Sequence, residues 1–149
     1  MEDTLKTILN VSALIGAALA VVTFWRNLRL RRAEWLYNLH AKFYETETYK
    51  QIRRALDYQS EPQFNELRKA IVEGGNLDLT EKFVDYLNFF EFIATLWKLR
   101  QLTSREISMI FEYYILLLKE RDFALEFIRK NGFENLSELI DVLYAGKKL

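Results

Sequence analysis

Between Lys6 and Arg26 the chain carries no charged residue. The run Thr7–Trp25, TILNVSALIGAALAVVTFW, is 19 residues long. As an α-helix it covers roughly 28 Å, about the hydrocarbon thickness of a bilayer. It is therefore expected to cross a membrane, which constrains everything that follows it. Arg26, Arg29, Arg31 and Arg32 come directly after the run, whereas Glu2, Asp3 and Lys6 precede it. Basic residues beside a span stay on the cytoplasmic side, so the N-terminus is expected outside and the rest of the chain in the cytoplasm.

Two other readings of the run have to be weighed. Ala18-Leu19-Ala20 resembles a signal-peptidase site, but a secretory signal needs a basic n-region, and here the basic cluster lies downstream. Asn10, Ser12, Gly16 and Thr23 make the run less apolar than a leucine-rich anchor. A helix covered by its own domain, or one lying in the membrane interface, thus stays open as an alternative. The same residues suggest association. Ser12, Gly16 and Ala20 recur every fourth residue beside Ala13 and Ala17, a small face on which helix backbones approach closely. Asn10 and Thr23 are polar groups that hydrocarbon tolerates only against another helix or a water-filled lumen. A homo-oligomer with Asn10, Ser12, Gly16, Ala20 and Thr23 at its contacts or pore lining is expected.

The division that follows is a span with a basic collar over residues 1–32 and one domain over residues 33–149. One proline and five glycines in 149 residues point to an all-helical fold. Aromatic residues make up 15% of the chain, enough for a packed core. Of 21 basic and 21 acidic residues, five and two lie in residues 1–32, which leaves 16 and 19 in the domain, a formal −3. That balance makes nucleic acid an unexpected partner. Membrane lipid is the expected one, because each arginine of the collar attracts anionic headgroups by about 1 kcal/mol.

Apolar periodicity and caps divide the domain into about five to six helices. Trp35, Leu36, Leu39 and Phe43 continue the first helix past the collar, with no Gly or Pro from Leu28 to Tyr44. A pause near Tyr44–Thr48, where Thr46 or Thr48 can cap, precedes a second helix ending near Tyr58. Ser60 to Gln63, with Pro62 in the first turn, reads as a capping box, and Gly74-Gly75-Asn76 as a stop. Asp78 with Glu81 is expected to open a central helix from Leu79 to about Arg100, apolar on nearly all sides. Thr103 with Glu106 caps the next helix, which breaks near Glu120–Asp122. Asn131-Gly132 with Phe133 ends its continuation, and Asn135 with Glu138 opens the last.

Chemistry has few places to sit. One histidine and no cysteine exclude thiolate metal sites and most nucleophilic triads. No phosphate-binding glycine pattern occurs. No cofactor and no enzymatic activity are expected. One polar set stands out: His40, Arg53, Asn88 and Glu91 fall among aromatics, where buried polar groups must pair. The simpler expectation is that Arg53 or Arg54 bridges Glu91 or Asp57 to lock helix packing.

The runs LHAKFY (Leu39–Tyr44), YKQIRRALDY (Tyr49–Tyr58), DYLNFFEFIATL (Asp85–Leu96) and IFEYYI (Ile110–Ile115) resemble a family of small bacterial proteins with one N-terminal span and a cytosolic helical domain. The organisation is similar to that of the membrane accessory proteins of type VI-B CRISPR systems. That resemblance implies an oligomeric pore in the bacterial inner membrane, acting in antiviral defence, and a divergent HEPN-like ribonuclease fold. The catalytic pattern of that fold, an arginine, then four to six intervening residues, then a histidine, is missing: positions 33 to 35 before His40 hold Ala33, Glu34 and Trp35. A tethered module that recruits a cytosolic protein is the alternative, and a divergent HEPN-like ribonuclease the second.

Overall fold

The computed structural model describes the backbone of residues 2–58 and 62–145, and the side chains of residues 14–58 and 62–145. Among the described residues every regular element is an α-helix: α1 Glu2–Glu45, α2 Glu47–Asp57, α3 Pro62–Val72, α4 Leu77–Lys98, α5 Ser104–Glu120, α6 Asp122–Lys130 and α7 Glu134–Tyr144. The all-α expectation is met. The chain divides into two compact units, Met1–Ala41 and Lys42–Leu149.

The first unit is helix α1 alone, up to its last turn. It runs 44 residues without a break, as the lack of Gly and Pro beyond Leu28 predicts.

The second unit contains the last turn of α1 and helices α2 to α7. Its punctuation follows side-chain chemistry closely. At α5 the capping box is complete: Thr103 Oγ1 accepts from Glu106 N at 3.2 Å, and Glu106 Oε2 accepts from Thr103 N at 2.9 Å. Each partner satisfies one of the free N–H groups at a helix start. Gly74 and Gly75 leave α3 with φ of +76° and +101°, and Gly132 leaves α6 with +83°. Only glycine adopts that region without strain.

Three starts differ from the sequence reading. Asn76, not Asp78, caps α4, its Oδ1 accepting from Leu79 N at 3.1 Å, so the helix begins two residues earlier. Thr46 stands before α2, but its hydroxyl donates back to the Lys42 carbonyl at 2.6 Å. Asn135 lies inside α7, where the N-cap position is held by Phe133. The box predicted at Ser60 lies outside the described residues.

The end of α4 carries no glycine, yet closes in a Schellman arrangement. Arg100 N donates to Trp97 O at 2.9 Å and Gln101 N to Leu96 O at 2.8 Å, with Arg100 itself at φ +58°.

Burial explains the order of the helices. Phe83, Tyr86, Leu87, Phe89, Phe90, Ile93 and Ala94 place α4 at the centre, packed against α2, α3 and α7. Its one open stripe is Asp85, Asn88 and Phe92, spaced at three and four residues. Phe43, at the end of α1, is fully buried. Its ring lies 5.2 Å from Phe89, 5.4 Å from Phe90, 5.3 Å from Phe111 and 4.9 Å from Tyr114. Burying a phenylalanine contributes roughly 2–3 kcal/mol, and edge-on partners add to it. A second aromatic group, Phe64, Phe83, Phe123 and Phe127, joins α3, α4 and α6.

Candidate functional site

The first candidate is the apolar segment of α1. From Leu14 to Glu34 every residue is exposed, 21 in succession. The large side chains are among them: Leu14 at 71%, Val22 at 64%, Phe24 and Trp25 at 60%. Water does not tolerate such a surface cheaply. Burying seven of these residues, from Leu14 to Trp25, releases on the order of 10 kcal/mol. Gly16, Ala20 and Thr23 are exposed within the segment, and a Cβ added at Gly16 would meet no atom within 4 Å. Asn10 and Ser12 lie outside the described side chains. Arg26, Arg29, Arg31 and Arg32 are all exposed beyond Trp25.

Among the described residues, no helix is long and apolar enough to cross a membrane. The part of the uncharged run whose side chains are described, Leu14–Trp25, is 12 residues, about 18 Å of helix, where a crossing needs roughly 20 residues.

The second candidate is the polar set predicted within the aromatic core; of its members in the second unit, Arg53 and Glu91 turn to the ends of different helices. His40 and Asn88 are exposed. Asn88 falls on the open stripe of α4 because it shares a face with Asp85 and Phe92. Arg54 is exposed as well. Arg53 and Glu91 each cap the end of a helix.

Arg53 is buried, 7% exposed. Its guanidinium donates to the Phe43 carbonyl through one nitrogen and to the Tyr44 carbonyl at 3.2 Å through the other. These are last-turn carbonyls of α1, which the helix itself leaves without donors, and the negative end of its dipole compensates the charge. The cation also lies 4.7 Å from the Phe43 ring centre, 5.0 Å from Tyr44 and 5.8 Å from Tyr114. Arginine suits the place because its flat, weakly hydrated fork can stack and donate at once.

Beside it, the Tyr86 hydroxyl is fully buried with no hydrogen-bond partner among the described residues. Burial pushes it well above the ordinary tyrosine range, against the pull of Arg53. Tyr114 is pushed up to about 12, first by burial and then by its hydrogen bond with Tyr44. Nearby, Tyr113 donates to Asp57.

Glu91 serves α7. Its carboxylate accepts from Asn135 N at 3.2 Å, Asn135 Nδ2 at 2.7 Å and Leu136 N at 2.8 Å. A carboxylate reaching over from α4 thus replaces the local cap that Phe133 cannot supply, and its charge suits the positive helix end. Lys98 extends the cluster to Asn135 Oδ1 at 3.2 Å and Glu138 at 2.8 Å. Arg121 repeats the pattern a third time, its Nε and Nη2 donating to Leu56 O at 3.3 and 3.2 Å near the end of α2.

The predicted bridge from Arg53 or Arg54 to Glu91 or Asp57 is replaced by these three long-range caps. Arg121, Asn135 and Tyr86 are polar members that sequence reasoning missed. No local signal marked these roles, and Asn135 read instead as the local cap of α7.

Comparison with protein families, curated proteins and solved structures finds no match to this chain. Among the described residues no three His, Cys, Asp or Glu side chains gather closely enough to hold a metal ion. An open cleft of about 610 Å³ lies over Gln51, Arg54, Tyr58, Gln63, Glu66 and Leu79. Among the described residues its lining has no nucleophile paired with a base.

Proposed function

We propose that the chain is a single-pass membrane protein, N-terminus outside and helical domain in the cytoplasm, that assembles as a homo-oligomer. The observation that carries this reading is the unbroken exposure of the apolar segment Leu14–Trp25, followed at once by four arginines. An apolar surface rimmed by charge is stable only against lipid or another protein. The uncharged residues Thr7 to Ala13 extend the same run to bilayer length. Asn10, Ser12, Gly16, Ala20 and Thr23 are the residues through which copies would meet or line a lumen. If that lumen conducts, the arginines at its inner mouth favour anions. By resemblance to the membrane accessory proteins of type VI-B CRISPR systems, the assembly acts in antiviral defence in the bacterial inner membrane.

The full chain, expressed in bacteria, should stay with the membrane pellet after carbonate extraction, and a tag on its C-terminus should resist periplasmic labelling. Release into the carbonate supernatant would remove the reading at its base. Planar-bilayer recordings test the pore separately, and absence of conductance from every oligomeric form would remove that clause alone.

A tethered binding module is the second reading. It is favoured by large apolar side chains left open on the domain: Phe92 at 50%, Leu99 at 64% and Met109 at 76%. Native mass in detergent separates the two, since a monomer supports the tether and a closed ring the assembly. The HEPN-like ribonuclease reading has the least support, because its arginine–histidine spacing is absent before His40.

A further inference from the structure

We propose that Arg26, Arg29, Arg31 and Arg32 form a binding collar for the phosphates of anionic phospholipid headgroups, selective over zwitterionic ones. The proposal rests on the membrane reading above and specifies the lipid that this face of α1 takes.

Geometry supports it first. From Arg26 to Arg32 is six residues of continuous helix, about 9 Å along the axis. A headgroup layer is roughly 5–8 Å thick on each side of the hydrocarbon. The collar therefore spans the whole of that layer when the apolar segment before it occupies the hydrocarbon. Trp25, 60% exposed at the junction, is the residue type that settles at this boundary.

Angular placement comes second. At about 100° per residue, Arg26, Arg29 and Arg32 share an arc of about 120°, and Arg31 points to the opposite side. The large apolar residues before them are just as widely spread: Leu14, Leu19, Val21 and Phe24 together cover more than half the circumference. A helix lying flat in the interface would instead segregate charge to one face and apolar groups to the other. Arginines on opposite sides of the helix suit a helix that passes through the headgroup layer.

Charge is the third argument. Residues 26–34 carry four arginines against the single Glu34, a net +3. All four guanidinium side chains are exposed. A guanidinium binds phosphate oxygens in a fork geometry that the quaternary ammonium of a zwitterionic lipid opposes. Attraction of about 1 kcal/mol per arginine corresponds to roughly fivefold preference per contact.

The test reconstitutes the full chain into nanodiscs holding phosphatidylglycerol and phosphatidylcholine in equal parts, and counts the lipids retained by native mass spectrometry. Phosphatidylglycerol should be enriched at least fivefold in the retained shell. The enrichment should fall toward parity at high salt, a control that needs no variant, and in the R26Q/R29Q/R31Q/R32Q protein. Retention at parity by the native chain overturns the proposal while leaving the membrane reading intact. Enrichment that persists unchanged in the variant also overturns it, because the anionic lipid then sits elsewhere. Failure to enter the discs at all strikes the membrane reading itself.

Discussion

Replacing Arg53 by methionine keeps most of the side-chain volume but removes the fork that holds the end of α1. Two carbonyls lose their donors, those of Phe43 and Tyr44. Leaving a buried acceptor unmade costs about 1–3 kcal/mol. The Tyr44 side chain borders solvent, so water can restore part of the second bond, and the pair together costs about 2 kcal/mol. Loss of the cation over the Phe43 and Tyr44 rings adds about 0.5–1 kcal/mol. Against this stands the desolvation that the buried charge no longer suffers, which in other proteins has cancelled such losses. The expected net is a destabilisation of about 2 kcal/mol, a fall in Tm of roughly 6 °C for a chain of this length.

Near-UV circular dichroism of the full chain, dense in aromatic signal around Phe43, reads the transition. Hydrogen exchange should quicken in peptides covering Lys42–Lys50 and not in α7. Arg53→Lys should fall between, since an ammonium keeps the charge but cannot fork or stack as guanidinium does. A methionine variant melting within 2 °C of the native chain, with unchanged exchange over Lys42–Lys50, would refute the view that Arg53 holds the last turn of α1 within the second unit.

Other outcomes follow from the same geometry. Glu91→Gln should cost about 1–2 kcal/mol and speed exchange at the start of α7, where two backbone N–H groups lose a charged acceptor; equal loss of protection in α5 would point to a general effect instead. Arg100→Gly relieves the positive φ at the end of α4 and should raise stability by about 0.5 kcal/mol, part of the relief being returned as unfolded-chain entropy; a lower Tm would contradict it. Tyr114 and Tyr144 are pushed up to about 12, both chiefly by burial. With folded values above the unfolded one near 10, their contribution is whole below pH 10 and is lost as pH rises toward 12. Absorbance titration at tyrosinate wavelengths should show at least three tyrosines ionising late, Tyr86 among them, a number that falls by two in the Y114F/Y144F protein. A single native transition near pH 10 would sink this reading.

Element boundaries were legible wherever the signal was local. Thr103 and Glu106 stand three residues apart and bond each other as that spacing requires. Glycines at 74, 75 and 132 sit where a helix must turn left-handed. The uninterrupted α1 follows from an absence of breakers. What misled was any cap with more than one local candidate: Asn76 and Asp78 both offer an oxygen at the start of α4, and packing chose the earlier. The turn at Arg100 had no glycine to announce it.

The polar residues show the limit most clearly. Chain pattern marked Arg53, Asn88 and Glu91 as polar groups among aromatics, which is a statement about neighbours along the sequence. Which of them is buried depends on the rotation of α4 against α2 and α7, and that rotation turned Asn88 outward with Asp85 and Phe92. Who pairs with whom was decided at the ends of other helices: Arg53 found the orphan carbonyls of α1, and Glu91 the orphan amides of α7. By itself, the amino-acid order determined an all-helical chain with an uncharged, arginine-flanked first segment, because periodicity, charge and caps act within a few residues. Only the tertiary structure decided which polar groups serve as its internal caps, because a helix end can be satisfied by any donor or acceptor that folding carries within about 3 Å.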